Sequence, residues 1–171
     1  MIVRILSRKA VPIPLHAGTY SRWFVDGKQI FNDTYVREIV LDYWAKYLDY
    51  AHNNVRLHFR AVATGGISWA AALSDRIKGS SYSTYVPGTR VDHSKQVVFV
   101  VDDVLTTGTS IKVVCKSQSG LHRALVVVDR RSPYYTDQKY GFADDNGIRL
   151  GSGHIITVTS WARVPLPTFE A

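Results

Sequence analysis

Apolar positions recur along this chain with two different periods. Between Asn32 and Asn54, the residues Val36, Ile39, Val40, Tyr43, Trp44, Tyr47, Leu48 and Ala51 fall three and four apart. That is the spacing of one face of an α-helix, with its aromatic stripe turned to the core. Asn32 or Asp33 can cap its start, and Asn53-Asn54 ends it. Beyond it the pattern alternates. His58 to Ala63 predicts a strand, Gly65-Gly66 a turn, Ser68 to Ile77 a helix and Tyr82 to Val86 a strand. Val97 to Val101 is an unbroken apolar run, as in strands buried on both faces. Thr109 to Lys116 predicts a helix, and Ala124 to Val128 and Ile155 to Thr159 predict strands. Upstream, residues 2–14 form a small N-terminal element, and residues 20–31 predict a strand pair turning at Asp26-Gly27. Residues 131–153 are polar and irregular, and Pro165 and Pro167 end regular structure. Strands alternating with helices predict an α/β fold with an open, mainly parallel sheet flanked by helices.

Length and composition narrow this. At 171 residues the chain fits a single domain over 1–171 with its own core. The formal charge of +7 favours an anionic partner, either nucleic acid or a small polyphosphate. The Lys and Arg residues are scattered, which disfavours nucleic acid. Cys115 is the single cysteine, so neither an internal disulfide nor a thiolate metal site is expected, and a reducing, cytoplasmic setting is. No apolar run approaches the ~20 residues that span a bilayer, so no membrane partner is expected. Met1 to Leu6 has no long apolar stretch and no small-residue cleavage site, so no secretion signal is expected.

The chemistry gathers in Val97-Val98-Phe99-Val100-Val101-Asp102-Asp103-Val104-Leu105-Thr106-Thr107-Gly108-Thr109-Ser110. A buried strand runs into two carboxylates, a hydroxyl-bearing turn and a helix start. Ligands of open parallel sheets bind beyond the carboxyl ends of the strands. A turn entering a helix offers unpaired N–H groups and the positive end of the helix dipole. Thr106, Thr107, Thr109 and Ser110 add hydroxyls, and Gly108 permits a tight turn, so the stretch is a cradle for a phosphate. Asp102 and Asp103 at its edge can accept from a ribose diol, and are hard oxygen ligands for Mg²⁺. A second strand, Gly turn and helix start, Val62-Ala63-Thr64-Gly65-Gly66-Ile67-Ser68, can also present N–H groups to an anion.

The first stretch resembles the phosphoribosyl-pyrophosphate signature of type I phosphoribosyltransferases, and Thr64-Gly65-Gly66 resembles their pyrophosphate loop. Two further segments resemble orotate phosphoribosyltransferases within that family. Ala17-Gly18-Thr19-Tyr20-Ser21-Arg22-Trp23-Phe24-Val25-Asp26-Gly27-Lys28 is similar to their N-terminal hood, and Ala124 to Arg131 to their strand ending in Asp-Arg. The resemblance implies the type I phosphoribosyltransferase fold with a small hood from residues 1–31. It implies transfer of a 5-phosphoribosyl group from phosphoribosyl pyrophosphate to a nucleobase nitrogen, with orotate the favoured base and pyrophosphate released. It also implies Mg²⁺ as cofactor, bound by Asp102 and Asp103, and a homodimer whose mobile loop reaches the partner's site. Lys28, Arg130 and Phe24 would line the base site, an arginine fork suiting a planar carboxylate.

The chain departs from the family at the mobile loop. Where orotate enzymes carry Arg-Lys-x-x-Lys-x-His-Gly, this chain has Tyr85-Val86-Pro87-Gly88-Thr89-Arg90-Val91-Asp92-His93-Ser94-Lys95-Gln96. Val91 and Gly88 take lysine positions, leaving Arg90, His93 and Lys95 as the candidate catalytic cations beside Asp102 and Asp103. His16 stands for the lysine before the hood's Ser-Gly. A purine or other base as acceptor, or a regulator that keeps the sugar-phosphate site without turnover, are the alternative readings.

Overall fold

The computed structural model describes residues 6–14, 19–52, 54–62, 64–92, 94–116, 123–131, 147–166 and 169–170. Two sheets organise them. The larger has six strands in the order β4-β3-β5-β6-β8-β7. They are β3 (Leu57–Ala61), β4 (Ser81–Thr84), β5 (Val97–Leu105), β6 (Arg123–Asp129), β7 (Gly147–Arg149) and β8 (Ile155–Arg163). Every pairing is parallel except that of the edge strand β7, which runs antiparallel to β8. The smaller is an antiparallel sheet in the order β1-β2-β9, from β1 (Leu6–Pro14), β2 (Thr19–Val25) and β9 (Phe169–Glu170).

Four helices complete the described residues: α1 (Gly27–Asn32), α2 (Thr34–His52), α3 (Gly65–Arg76) and α4 (Thr109–Lys116). Asp33 starts α2, its Oδ1 accepting from the Val36 amide at 3.1 Å. The stripe that meets the core is Val36, Val40, Trp44 and Leu48, joined by Leu41, whereas Ile39 and Tyr43 face solvent. Strand β5 is buried on both faces, as its unbroken apolar run requires. Phe99 and Val101 join the cluster under α2 and α3, while Val98 and Val100 join the one under α4. Trp69 fills the first cluster, edge-on to Trp44 at 5.6 Å and to Phe31 at 5.0 Å between centroids.

Three readings need correction. Asp26-Gly27 is no hairpin turn: Asp26 caps α1, accepting from the Lys28 and Gln29 amides at 3.1 Å each. An Asp-Gly pair serves either purpose, and here β2 pairs with β1 instead of with the residues that follow it. The segment 131–153 holds the edge strand β7, although residues 132–146 lie outside the described residues. Regular structure also resumes after Pro165, where β9 pairs with β2.

Candidate active site

Strand β5 carries Asp102 and Asp103 to the carboxyl edge of the sheet, next to its centre. Their surroundings differ. Asp102 is buried, and its Oδ1 accepts from the Asp103 amide at 3.0 Å. Burial first, and the neighbouring Asp103 charge second, push its carboxyl from an ordinary 3.8 up to about 8. Asp103 is half-buried, and its Oδ1 accepts from the Val104 amide at 2.8 Å.

The turn after β5 forms as its residues dictate. Gly108 takes a left-handed φ of +75°, and a Cβ there would lie 2.8 Å from Ile148 Cδ1, so glycine is required twice over. Its carbonyl accepts from Lys112 at 2.8 Å, which makes it the first acceptor of α4 and leaves the amides of the first turn without intrahelical partners. Thr106 and Thr107 are half-buried, and Thr109 and Ser110 are exposed. The Thr107 and Thr109 hydroxyls lie 3.0 Å apart. Cys115, on the same helix, is buried with its thiol pushed up to about 12, so it is no nucleophile at neutral pH.

The second glycine turn meets the first. Gly66 packs against the main chain of Val101: a Cβ on it would overlap the Val101 carbonyl oxygen and lie 2.8 Å from its carbon. Gly65 and Gly27 both abut the Asp103 carboxylate. Three segments far apart in sequence, Thr64-Gly65-Gly66, Asp102-Asp103 and Asp26-Gly27-Lys28, therefore converge on one carboxylate.

Arg130, at the end of β6, is only 2% exposed. It donates from Nη1 to the Trp23 carbonyl at 3.1 Å and from Nη2 to Ser21 Oγ at 2.9 Å, fastening the small sheet to the large one. Its Nε is buried without a partner, and burial lowers its pKa. Beside it, Arg131 and Asp129 form a buried ion pair at 2.6 Å. Phe24, on β2, is partly exposed with Lys9 Nζ 5.6 Å from its ring centroid, and Lys28 is exposed on α1.

Of the candidate loop cations, Lys95 lies away from the carboxylates. Val86-Pro87-Gly88-Thr89 forms a turn, with the Thr89 amide donating to the Val86 carbonyl at 3.1 Å and Gly88 at φ +82°. Buried Arg60, on β3, ties this turn to the sheet. It donates to the Thr89 carbonyl at 3.3 Å, to Thr89 Oγ1, and to Ser83 Oγ at 3.0 Å. Arg90 follows the turn and is exposed, and His93 lies outside the described residues. Lys95 sits just before β5 begins, at the amino edge of the sheet. At ~3.3 Å per residue that end of the strand is about 20 Å from Asp103. Within one chain, then, Lys95 does not share a site with Asp103, because the strand itself separates them. Sequence reading missed Arg60; its one signal is a permanent cation inside a fully buried strand.

Comparison with known proteins adds to this geometry. The chain is 33% identical over 133 residues to the orotate phosphoribosyltransferase of Aeropyrum pernix, covering 68% of each chain. Against the crystal structure of orotate phosphoribosyltransferase from Aeropyrum pernix the TM-score is 0.65 at 25% identity, covering 94% of this chain and 89% of that one. An adenine phosphoribosyltransferase from Thermoanaerobacter pseudethanolicus shares the fold, with TM-score 0.59 at 16% identity over 95% and 97% of the two chains. No protein-family model matches the chain.

Proposed function

Because this chain belongs to the type I phosphoribosyltransferase family, we propose that the 5-phosphoribosyl group it transfers from phosphoribosyl pyrophosphate goes to orotate. The observation that carries the choice of acceptor is Arg130. A buried guanidinium at the end of β6, fastened to the strand that bears Phe24, keeps one unpartnered donor, its Nε. A planar carboxylate is the acceptor that suits such a donor best. Lys28 and Phe24 complete the base site from α1 and β2, so the small sheet acts as a hood formed chiefly by residues 1–31.

Each remaining residue has a role in the same reading. Thr106, Thr107, Gly108, Thr109 and Ser110 hold the 5-phosphate with their hydroxyls and the free amides of the first turn of α4. Thr64, Gly65 and Gly66 hold the pyrophosphate. Asp103 faces the ribose hydroxyls, and Asp102 supports it from beneath. As C1–O bond cleavage places positive charge on the ribose, the Asp103 carboxylate stabilises it, while the amides and hydroxyls hold the departing pyrophosphate. Among the described residues no three His, Cys, Asp or Glu side chains form a metal cage. Asp102 and Asp103 would hold Mg²⁺ through their hard oxygen ligands, and the ion when bound would neutralise charge on the leaving group. Arg90, His93 and Lys95 act across a homodimer, on the partner's pyrophosphate. The setting is the cytoplasm.

The test offers phosphoribosyl pyrophosphate and Mg²⁺ with orotate, uracil, adenine, hypoxanthine or guanine, and reads pyrophosphate release. Release with orotate, at an orotate KM that rises in Arg130→Ala more than the phosphoribosyl pyrophosphate KM does, is expected. Release with adenine alone would move the acceptor to a purine. Binding without release for any base would leave a non-catalytic sugar-phosphate protein.

A further inference from the structure

Gly27 opens α1 and is buried. A Cβ built on it would overlap Asp103 Oδ2 and lie 2.5 Å from Asp103 Cγ and 2.8 Å from Asp103 Cβ. A Cβ on Gly65, which opens α3, would overlap Asp103 Oδ1 and lie 2.7 Å from Oδ2. Ordinary carbon contacts begin near ~3.5 Å. Neither glycine has a left-handed φ, so any residue could adopt its backbone conformation. The Asp103 side chain demands the missing Cβ at both positions, through its carboxyl group at Gly65 and through its carboxyl group and Cβ at Gly27.

Gly66 makes a contrast. Its Cβ would strike the main-chain carbonyl of Val101, in the middle of β5. A central strand cannot shift without breaking its ladders, so a methyl group there displaces the fold. The Asp103 carboxylate sits on two rotatable bonds and can swing aside, so a methyl group at Gly65 or Gly27 displaces it first; at Gly27 the Asp103 Cβ, fixed to β5, also requires α1 to move slightly.

We propose that Gly27 is a positioning residue of the sugar site: with Gly65 it forms a slot without side chains that fixes the Asp103 carboxylate. One wall of the slot comes from the segment that also supplies Lys28, so the acceptor side of the site is set by the same contact as the ribose side. The inference rests on the reading of Asp103 as the ribose-facing carboxylate.

The experiment is a double-variant cycle of Gly27→Ala with Asp103→Gly, with Gly66→Ala as the control for a purely structural glycine. Gly27→Ala is expected to lower Tm less than Gly66→Ala does, while kcat/KM for phosphoribosyl pyrophosphate falls by up to about a hundredfold, the scale of a ~1 Å misplacement. In the Asp103→Gly background, Gly27→Ala should cause no further kinetic loss. There it should raise Tm, since alanine suits a helix better than glycine once the whole collision partner is gone. Gly66→Ala should lower Tm in both backgrounds. Wild-type kinetics in Gly27→Ala, or losses that simply add, would overturn the proposal. If the wild-type enzyme fails to use phosphoribosyl pyrophosphate, the ribose reading falls, but the Tm cycle still decides the slot. An equal effect of Gly27→Ala on Tm with and without the Asp103 side chain would then refute it.

Discussion

Asp102 and Asp103 are adjacent in the chain yet differ in what they can do at neutral pH. Asp102 is buried beneath its neighbour with its carboxyl pushed up to about 8. The folded protein therefore holds this proton more tightly than the unfolded chain does. Its contribution to stability is fully present below 3.8 and is lost progressively as pH rises to about 8. Asp102→Asn cannot ionise, so its Tm advantage over wild type is expected to grow as pH rises through that window. Thermal melts at about pH 5 and about pH 9 check this, and a constant difference between the two proteins would refute it. The Asp-Asp pair was legible in the sequence, because two acids after a buried apolar strand are conspicuous. Their inequality was not, because it depends on which neighbours the fold packs around each. The same limit applied to Arg130, legible as a cation after β6 but not as a group gripping Ser21 and Trp23.

At the scale of elements, the connection from β4 to β5 has no helix among the described residues. It is a strap whose turn is held by one buried guanidinium, that of Arg60. Tyr85 and Val91 pack against the core beneath it, and the Arg60 guanidinium lies 5.5 Å from the Tyr85 ring centroid. Arg60→Met keeps much of the side chain's length and removes the tether. Trypsin is then expected to cut after Arg90 faster than in wild type, at a temperature where both proteins are folded. Unchanged cleavage would mean that the strap is held by its packing alone. Elements with long periodic patterns were readable, and α4 begins and ends where its apolar spacing predicts. Short ones were not. β7 has three residues and β9 two, too few for any period to show, and each exists only because a neighbouring strand offers an edge. The segment at Asp26-Gly27 was misread because one dipeptide encodes both a turn and a cap, and the choice lay with the partner of β2.

For the whole molecule, strand–helix alternation predicted a parallel sheet, but strand order followed only from tertiary packing. That order places β5 between β3 and β6, so the two glycine turns and the carboxylates share one edge. Arg130 and β9 then bring the small sheet over that edge. A ligand seated there binds the folded chain and not the unfolded one. Phosphoribosyl pyrophosphate with Mg²⁺ at about 100 times its Kd is expected to stabilise the protein by about 2.7 kcal/mol. Differential scanning calorimetry would read this as a rise in Tm, which chelation of the metal should largely reverse. A Tm indifferent to the ligand would place its site elsewhere. The contact between Gly27 and Asp103 also bears on how such enzymes can be recombined. A hood carried over from a relative with a bulkier residue at that position would bring its own acceptor preference and, in the same step, dislodge the carboxylate of the recipient. In this chain, a change of acceptor by exchange of the N-terminal segment requires that the incoming piece be bare at position 27.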